Sequence, residues 1–341
     1  MNRVIGDQRL LQLLKDLVRI PSPTGSEGRI GGFLEGVLQE MGFTVTRQEL
    51  RADRFNLLAT TQADPKVLLC THMDTVLPQL PYSETENLIR GRGACDAKGA
   101  MAAMISAAES ILAERHAGIG LLFVVGEEKD SDGARRAAEL ELNSEYVVLG
   151  EPTGNRAAKA QKGTLVFRLE VLGKAAHSAC PQKGRSAIHE LIKLVGDWIA
   201  ADWGGDPIIG PNTLNIGQIN GGVGANVVAA GAWADGIFRL GTGSAEVNER
   251  LLSYAGKNVL IRILSSSEPV ELYVPPGVDS TIVSFGSDAP YLQPLGKVVM
   301  LGPGSIEHAH GPDEMITVDE LVSARNQYIS LIEKLSSQSP C

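Results

Sequence analysis

Three short apolar segments of the sequence are each followed closely by side chains that can bind a metal ion. The segments and the side chains after them are 67–70 with His72, 119–125 with Glu127 and Glu128, and 146–149 with Glu151. Short, continuous apolar runs are typical of strands that are buried on both faces, as in the parallel sheet of an α/β domain. Ligand sites in such sheets lie at the carboxyl ends of the strands. The sequence therefore predicts an α/β/α domain with a mostly parallel central sheet and a functional site at one edge.

The loop after the first apolar segment carries a second group of candidate ligands. His72 and Asp74 lie two residues apart, and Asp96 follows within the glycine-rich segment 91–99. The loop between the first apolar segment and the glycine-rich segment has about twenty residues, which is long for a compact domain, and loops of this length are usually functional. A histidine ligand needs its second ring nitrogen anchored, and a nearby carboxylate is a common anchor. We therefore expect His72 and Asp96 to bind metal and Asp74 to support His72.

The candidate ligands are a mixture of imidazole and carboxylate groups. They are His72, Asp96, the pair Glu127 and Glu128, Glu151, and a residue of the late segment 302–314. Such ligation suits Zn²⁺ or a similar divalent ion that keeps one coordination position open. Two ions bridged by a carboxylate would lower the pKa of a shared water toward neutrality. One carboxylate would then have to stay unligated to move the proton, and the adjacent glutamates offer that division of roles.

A change of pattern after residue 163 indicates a second domain. The elements predicted between 164 and 271 follow the order βαββαβ, which is typical of a ferredoxin-like α+β sandwich. Apolar strand patterns resume at 281–283 and 297–300, and a helix closes the chain before a frayed tail at 336–341. We therefore predict a catalytic domain formed by 1–163 and 272–341, with the domain 164–271 inserted into it.

Composition excludes several classes of protein. The net charge of −9 argues against a nucleic-acid partner. The sequence contains no run of 18 apolar residues, so no membrane span is expected. The four cysteines have no CxxC spacing, and the first residues lack the apolar core of a signal peptide. The expectation is a cytoplasmic protein. Two of the six histidines, His116 and His189, are assigned to helix surfaces.

The motifs and their order resemble those of the M20 metallopeptidases, a family that holds acetylornithine deacetylase, succinyl-diaminopimelate desuccinylase, aminoacylase and several di- and carboxypeptidases. The matching motifs are His72-Met73-Asp74, Asp96 with Lys98-Gly99, Glu127-Glu128, Glu151 in Gly-Glu-Pro-Thr, and His310 ahead of Pro312-Asp313-Glu314. The residues after His310 favour it over His308. The resemblance implies that one ion takes His72, Asp96 and Glu151, and that the other takes Asp96, Glu128 and His310. Asp96 then bridges the ions and Glu127 is the general base.

The inserted domain also resembles the lid domain of this family. His177 in Gly-Lys-Ala-Ala-His-Ser resembles the histidine that reaches the site of the partner subunit and stabilises the oxyanion. Asn226 resembles a substrate-contacting asparagine, and Arg239 falls where an arginine pairs with the substrate's carboxylate. The resemblance therefore implies a homodimer formed through the lid domain.

Taken together, these features predict an amidohydrolase with two divalent ions, zinc in the first place and cobalt as the alternative. The favoured activity is deacylation of an N-acyl amino acid of the acetylornithine or acetyllysine type by a hydroxide held between the ions. The first alternative is a dipeptidase or carboxypeptidase that acts on short peptides with the same site. The second is a non-catalytic metal-binding homologue, against which the free Glu127 argues.

Overall fold

The computed structural model describes residues 2–113 and 118–337. Within them the chain forms two compact units, one of 2–113, 118–159, 272–281 and 287–337 and the other of 160–271 and 282–286. Residues 160–163 and 282–286 lie outside the first unit, although the predicted domain boundaries include them in it. They belong to the second unit, where the backbone N–H of Lys162 donates to the carbonyl of Val283 at 3.2 Å. His116 and residues 338–341 of the tail lie outside the described residues.

The helices and strands are numbered here in chain order. The helices are α1 Asn2–Arg19, α2 Gly28–Glu40, α3 Lys98–Ala113, α4 Asp132–Ala137, α5 Ala187–Ala200, α6 Ser244–Leu252, α7 Ala289–Leu292 and α8 Val318–Ser337. The strands are β1 Thr44–Arg51, β2 Arg54–Thr60, β3 Val67–His72, β4 Ser83–Glu84, β5 Leu88–Arg90, β6 Ile119–Val124, β7 Tyr146–Leu149, β8 Ala157–Gln161, β9 Gly163–Leu172, β10 Gly205–Asp206, β11 Gly210–Pro211, β12 Thr213–Gly221, β13 Gly231–Leu240, β14 Val259–Ser267, β15 Val270–Glu271, β16 Ser280–Val283, β17 Lys297–Met300 and β18 Met315–Thr317. None of the helices in the described part of the chain is long and apolar enough to cross a membrane.

The first unit is built on a mixed sheet with the strand order β1-β2-β6-β3-β7-β17-β8. Its centre is parallel, since β3 pairs in parallel with β6 and β7, and β17 pairs in parallel with β7. Every residue of β3, β6 and β7 is buried, as their continuous apolar sequences predict. Helix α3 packs against α1 and α8. The α/β class is confirmed.

The edges of this sheet are antiparallel, which corrects the expectation of a mostly parallel sheet. Strand β1 pairs with β2 in antiparallel register, β2 pairs likewise with β6, and β17 pairs likewise with β8. Only residues 52 and 53 separate β1 from β2, and so short a turn can join antiparallel strands alone. The apolar pattern predicts which segments are strands, but it does not predict the direction in which neighbouring strands pair.

The second unit is a four-stranded antiparallel sheet with two helices. The strand order is β12-β13-β9-β14, and α5 packs against β9, β12 and β13 while α6 packs against β9 and β14. Leaving aside the two-residue strands β10 and β11, the elements run βαββαβ, as in a ferredoxin-like sandwich. The aromatic rings of Phe167, Trp198 and Phe238 are completely buried between the sheet and the helices. This core gives the unit its own hydrophobic interior.

Candidate metal centre

The parallel strands of the first unit bring their polar ends to one edge of the sheet. In the register of β3 and β6, His72 lies opposite Val124, and Cys70 lies opposite Leu149 of β7. Glu127 and Glu128 therefore follow β6, and Glu151 follows β7, at the edge where β3 delivers His72. The buried apolar strands thus determine where these polar side chains lie.

The structure brings all five predicted ligands together in two groups. One group is His72, Asp96 and Glu151, the other is Asp96, Glu128 and His310, and within each group one ligand atom per residue lies within 4.8 Å of the others. Asp96 belongs to both groups. Its Oδ1 is 3.1 Å from Nε2 of His72, and its Oδ2 is 3.4 Å from Nε2 of His310. This is the grouping that the family resemblance implied, and ligation itself stays a prediction.

The electrostatics of these groups suit bound cations. Among the described residues, one buried carboxylate oxygen of Glu128 and one of Glu151 have no hydrogen-bond partner. Burial raises the pKa of both carboxyl groups above the ordinary value, for Glu151 well above it. Burying an unpaired carboxylate is costly unless it is neutralised or coordinates a metal. Two divalent ions held by imidazole and carboxylate ligands would satisfy these oxygens, so the residues present fit a dinuclear centre.

The two histidines contact the carboxylates in different ways. His72 is buried, whereas the side chain of His310 is 49% exposed and its Nε2 lies 2.8 Å from Oε2 of Glu128. Hydrogen bonds with Asp96 and Glu128 raise the pKa of His310 to about 10, although burial opposes this. Burial acts against the ionised form of Asp96, yet hydrogen bonds from His310 and His72 hold its pKa well below the ordinary value. Asp96 is therefore an ionised acceptor between two imidazoles.

Asp74 supports the centre, but by a different contact than expected. Nδ1 of His72 lies 2.9 Å from the backbone carbonyl oxygen of Asp74 and 3.6 Å from its carboxylate. The Nδ1–H therefore donates to the carbonyl, while Nε2 faces Asp96, so an ion bound at Nε2 would take the place of that hydrogen bond. The carboxylate of Asp74 instead accepts the backbone N–H groups of Glu127 and Glu128 at 3.1 and 3.2 Å, and the hydroxyl of Thr24 at 2.8 Å. Asp74 thus positions the acidic pair.

Glu127 belongs to neither ligand group, although it is adjacent to Glu128. Burial, and next the charge of Glu151, raise the pKa of Glu127 well above the ordinary value for a glutamate. A carboxylate whose pKa is raised toward neutrality is a better proton acceptor than an exposed one. The arrangement is therefore suited to general-base catalysis beside the two ligand groups.

Several residues that support the centre were missed by sequence analysis. Thr24, whose hydroxyl donates to Asp74, carries no signal in the sequence, and Glu314 was predicted only as part of the motif after His310. Asp288, at the start of α7, is completely buried, and burial raises its pKa to about 7. An isolated Ser-Asp-Ala sequence carries no signal that would have found Asp288.

The remaining predicted site residues lie in the second unit. His177 forms an isolated antiparallel bridge with Val227, and the backbone N–H of Ser178 donates to the carbonyl of Asn226 at 3.0 Å. His177 and Asn226 are both exposed, and Arg239 is half-buried on β13. The structure thus brings His177 and Asn226 close together, and the roles of all three residues stay predictions.

Comparisons with known proteins identify the family of this chain. A family model described as peptidase family M20/M25/M40 matches residues 68–334. A peptidase M20 domain-containing protein of Schizosaccharomyces pombe is 37% identical, covering 96% of this chain and 84% of its own. A probable carboxypeptidase of Aspergillus clavatus is 38% identical, covering 97% of this chain and 83% of its own. This chain therefore belongs to the M20 peptidase family and is a metal-dependent hydrolase of amide bonds.

A solved structure shows the same fold. A tripeptidase of Staphylococcus aureus superposes with a TM-score of 0.80 and 23% sequence identity, covering 97% of this chain and 99% of the tripeptidase. At this identity the likeness supports the architecture alone.

Proposed function

We propose that this protein is a dinuclear metallopeptidase that cleaves short peptides, as a carboxypeptidase does. The observation that carries the proposal is the half-buried Glu127, which lies beside two ligand groups that share Asp96 and belongs to neither of them. The peptide-bond specificity is supported by the relative described as a carboxypeptidase, which covers nearly the whole chain. That relative supports a peptidase better than it supports the N-acyl amino acid deacylase that the sequence analysis favoured.

The residues of the first unit divide the chemistry among them. Two divalent ions held by His72, Asp96, Glu128, Glu151 and His310 would polarise the scissile carbonyl and lower the pKa of the attacking water. Glu127 accepts the proton of that water and returns it to the departing amine. Asp74, which accepts a hydrogen bond from Thr24, also accepts the backbone N–H of Glu127. This contact fixes the backbone of Glu127 and so keeps the Glu127 carboxylate within reach of the attacking water. The carbonyl of Asp74 fixes the tautomer of His72.

The second unit contributes residues whose roles are also proposals. We assign to His177 the donation of a hydrogen bond to the oxyanion in the partner subunit, and to Asn226 a contact with substrate. Arg239 receives the free carboxylate of the peptide, which a guanidinium can bind in bidentate geometry. Zinc as the metal and the cytoplasm as the location stay predictions from the sequence.

A substrate panel tests the peptidase proposal. Purified protein loaded with Zn²⁺ or Co²⁺ is given di- and tripeptides with free carboxyl ends, the same peptides with amidated ends, acetylornithine and acetyllysine. We expect hydrolysis of the free peptides and a large loss of kcat/KM for the amidated ones, since the amide cannot pair with an arginine as a carboxylate does. Hydrolysis of the acetylated amino acids alone would establish the deacylase instead. Metal-loaded protein that cleaves none of them would establish the non-catalytic homologue.

We further propose a homodimer formed by one face of the second unit. Strand β12 is an edge strand of its sheet, and edge strands offer unpaired backbone groups to a second copy. Beside it, α5 exposes Ile192 at 57% and Ile199 at 63%, and β12 exposes Ile219 at 55%. A shallow cavity of about 380 Å³ lies between α5 and β12, with Ile188 and Leu191 in its wall. A second copy of the same face would cover these apolar side chains.

Analytical ultracentrifugation tests the dimer. We expect the wild type to sediment as a dimer and the variant Ile192→Glu combined with Ile219→Lys to sediment as a monomer, because charges would replace the apolar contact. Leu264 is 56% exposed on the opposite edge strand, so Leu264→Glu is the matched control and should stay dimeric. A monomeric wild type with full activity would remove both the dimer and the role of His177 across subunits.

A further inference from the structure

Glu314 lies four residues after His310 and is almost completely buried. Its Oε1 accepts three backbone N–H groups, from Gly93 at 2.9 Å and from Cys95 and Asp96 at 3.1 Å each. Its Oε2 accepts a hydrogen bond from the guanidinium of Arg92 at 2.6 Å. A carboxylate surrounded by successive backbone N–H groups occupies an anion-binding nest. Here the nest is the segment that carries the shared candidate ligand.

Main-chain contacts join the same two segments. The backbone N–H of Gly91 donates to the carbonyl of Glu314 at 3.1 Å, and Met315 of β18 pairs with Arg90 of β5. Arg92 also donates from Nε to the carbonyl of Pro78 at 3.0 Å. The segment 90–96 and the segment 310–315 are therefore held together on both sides of the carboxylate. A shift of Asp96 relative to His310 would break several of these bonds at once.

Each ligand group depends on this connection to a different extent. In the group of Asp96, Glu128 and His310, two of the three ligands lie on segments that Glu314 joins. In the group of His72, Asp96 and Glu151, Glu314 reaches Asp96 alone, because His72 ends one buried strand of the central sheet and Glu151 follows another. The first of these groups therefore has more to lose when Glu314 is replaced.

We propose that Glu314 is a positioning residue that sets Asp96 relative to His310 and thereby preforms the ion site of Asp96, Glu128 and His310. This inference rests on the proposed dinuclear centre. It assigns to Glu314 an effect on one ion more than on the other. If Glu314 served only as the buried partner of Arg92, its replacement would lower the stability of the fold and would weaken both ions equally.

The test compares metal affinity in matched variants. In Glu314→Gln the amide keeps the size of the side chain but loses the charge that holds the N–H groups and Arg92. The control is Glu320→Gln, since Glu320 is a nearby half-buried acceptor whose Oε2 accepts from the backbone N–H and the hydroxyl of Thr317 at 2.9 and 2.7 Å. Each variant is dialysed against graded chelator, and the remaining metal is counted by elemental analysis. We expect Glu314→Gln to release one ion about 10- to 100-fold more readily than the wild type, as is typical when a residue that orients ligands is removed.

Combining Glu314→Gln with a second substitution, in either of the two ligand groups, identifies which ion is weakened. Glu151→Ala disables the group of His72, so the remaining ion sits on Asp96, Glu128 and His310, and adding Glu314→Gln should weaken it by that full factor. Glu128→Ala disables the other group, and adding Glu314→Gln should then have a smaller effect. Equal weakening in both backgrounds, or unchanged affinity with a loss of Tm like that of Glu320→Gln, would overturn the proposal. Failure of the Glu128→Ala protein to bind any ion would speak against the dinuclear centre itself.

A measurement on the wild type covers the case in which Glu314→Gln does not fold. Hydrogen exchange of the metal-free wild type reports on the backbone N–H groups of Gly93, Cys95 and Asp96. We expect these amides to be protected about as well as those of β3, because Glu314 holds them before any ion binds. Exchange as fast as that of exposed loop amides, with protection appearing only when metal is added, would overturn the proposal.

Discussion

Replacing Glu127 by glutamine should lower kcat by about 10²- to 10⁴-fold, the range that general acid–base catalysis contributes. Glutamine has nearly the same size but cannot accept the proton of the attacking water. Metal content should stay that of the wild type, because Glu127 belongs to neither ligand group. KM should change little, since the proton transfer stabilises the transition state rather than the bound substrate. The measurement is steady-state kinetics together with elemental analysis of the same preparation.

A control within the same turn separates the loss of the base from a disturbance of the loop. Asp130 is exposed three residues after Glu127, so Asp130→Asn should keep near-normal kcat. A metal-loaded Glu127→Gln protein that turns over at the wild-type rate would show that another group moves the proton. Loss of metal in that variant would place Glu127 among the ligands instead.

The ligands could be predicted from the sequence because their positions follow from local patterns. His72 ends one buried strand, the pair Glu127 and Glu128 lies shortly after a second, and Glu151 lies shortly after a third. Parallel strands bring these ends to one edge of the sheet. Asp96 and His310 lie in loops, and their grouping came from the family resemblance. The structure places the five predicted ligands in the expected groups and leaves Glu127 outside both.

The supporting contacts could not be predicted because they join distant parts of the chain. The hydroxyl of Thr24 reaches Asp74 across 50 residues, and Glu314 reaches Gly93 across 221. Nothing in the sequence distinguishes a buried carboxylate that accepts backbone N–H groups from an exposed one. The carboxylate of Asp74 lies 3.6 Å from Nδ1 of His72, and the nearer contact of that nitrogen, at 2.9 Å, is the carbonyl of the same residue. The turn after β6 also offers that carboxylate two backbone N–H groups, a contact that no local pattern predicts.

Replacing Asp96 by asparagine should weaken both ions and abolish activity, because Asp96 is the one residue that belongs to both ligand groups. Asparagine offers a single acceptor oxygen and a donating NH₂, so it cannot bridge two cations. The wild-type Asp96 is held ionised between His72 and His310, whose hydrogen bonds keep its pKa well below the ordinary value. Elemental analysis after exchange into metal-free buffer should find far less than the wild-type content of metal.

Thermal unfolding gives an independent measure of the same effect. Ions that bind only the folded protein raise its stability by an amount that grows with their concentration relative to Kd. Adding Zn²⁺ should therefore raise the Tm of the wild type and leave that of Asp96→Asn nearly unchanged. Asp313→Asn is the matched control, since Asp313 is an exposed acid in the segment that carries His310, and its Tm should respond like that of the wild type. If Asp96→Asn kept two ions and its metal-dependent Tm, the two ligand groups would have to act as separate sites, and a shared carboxylate could not be the basis of the centre.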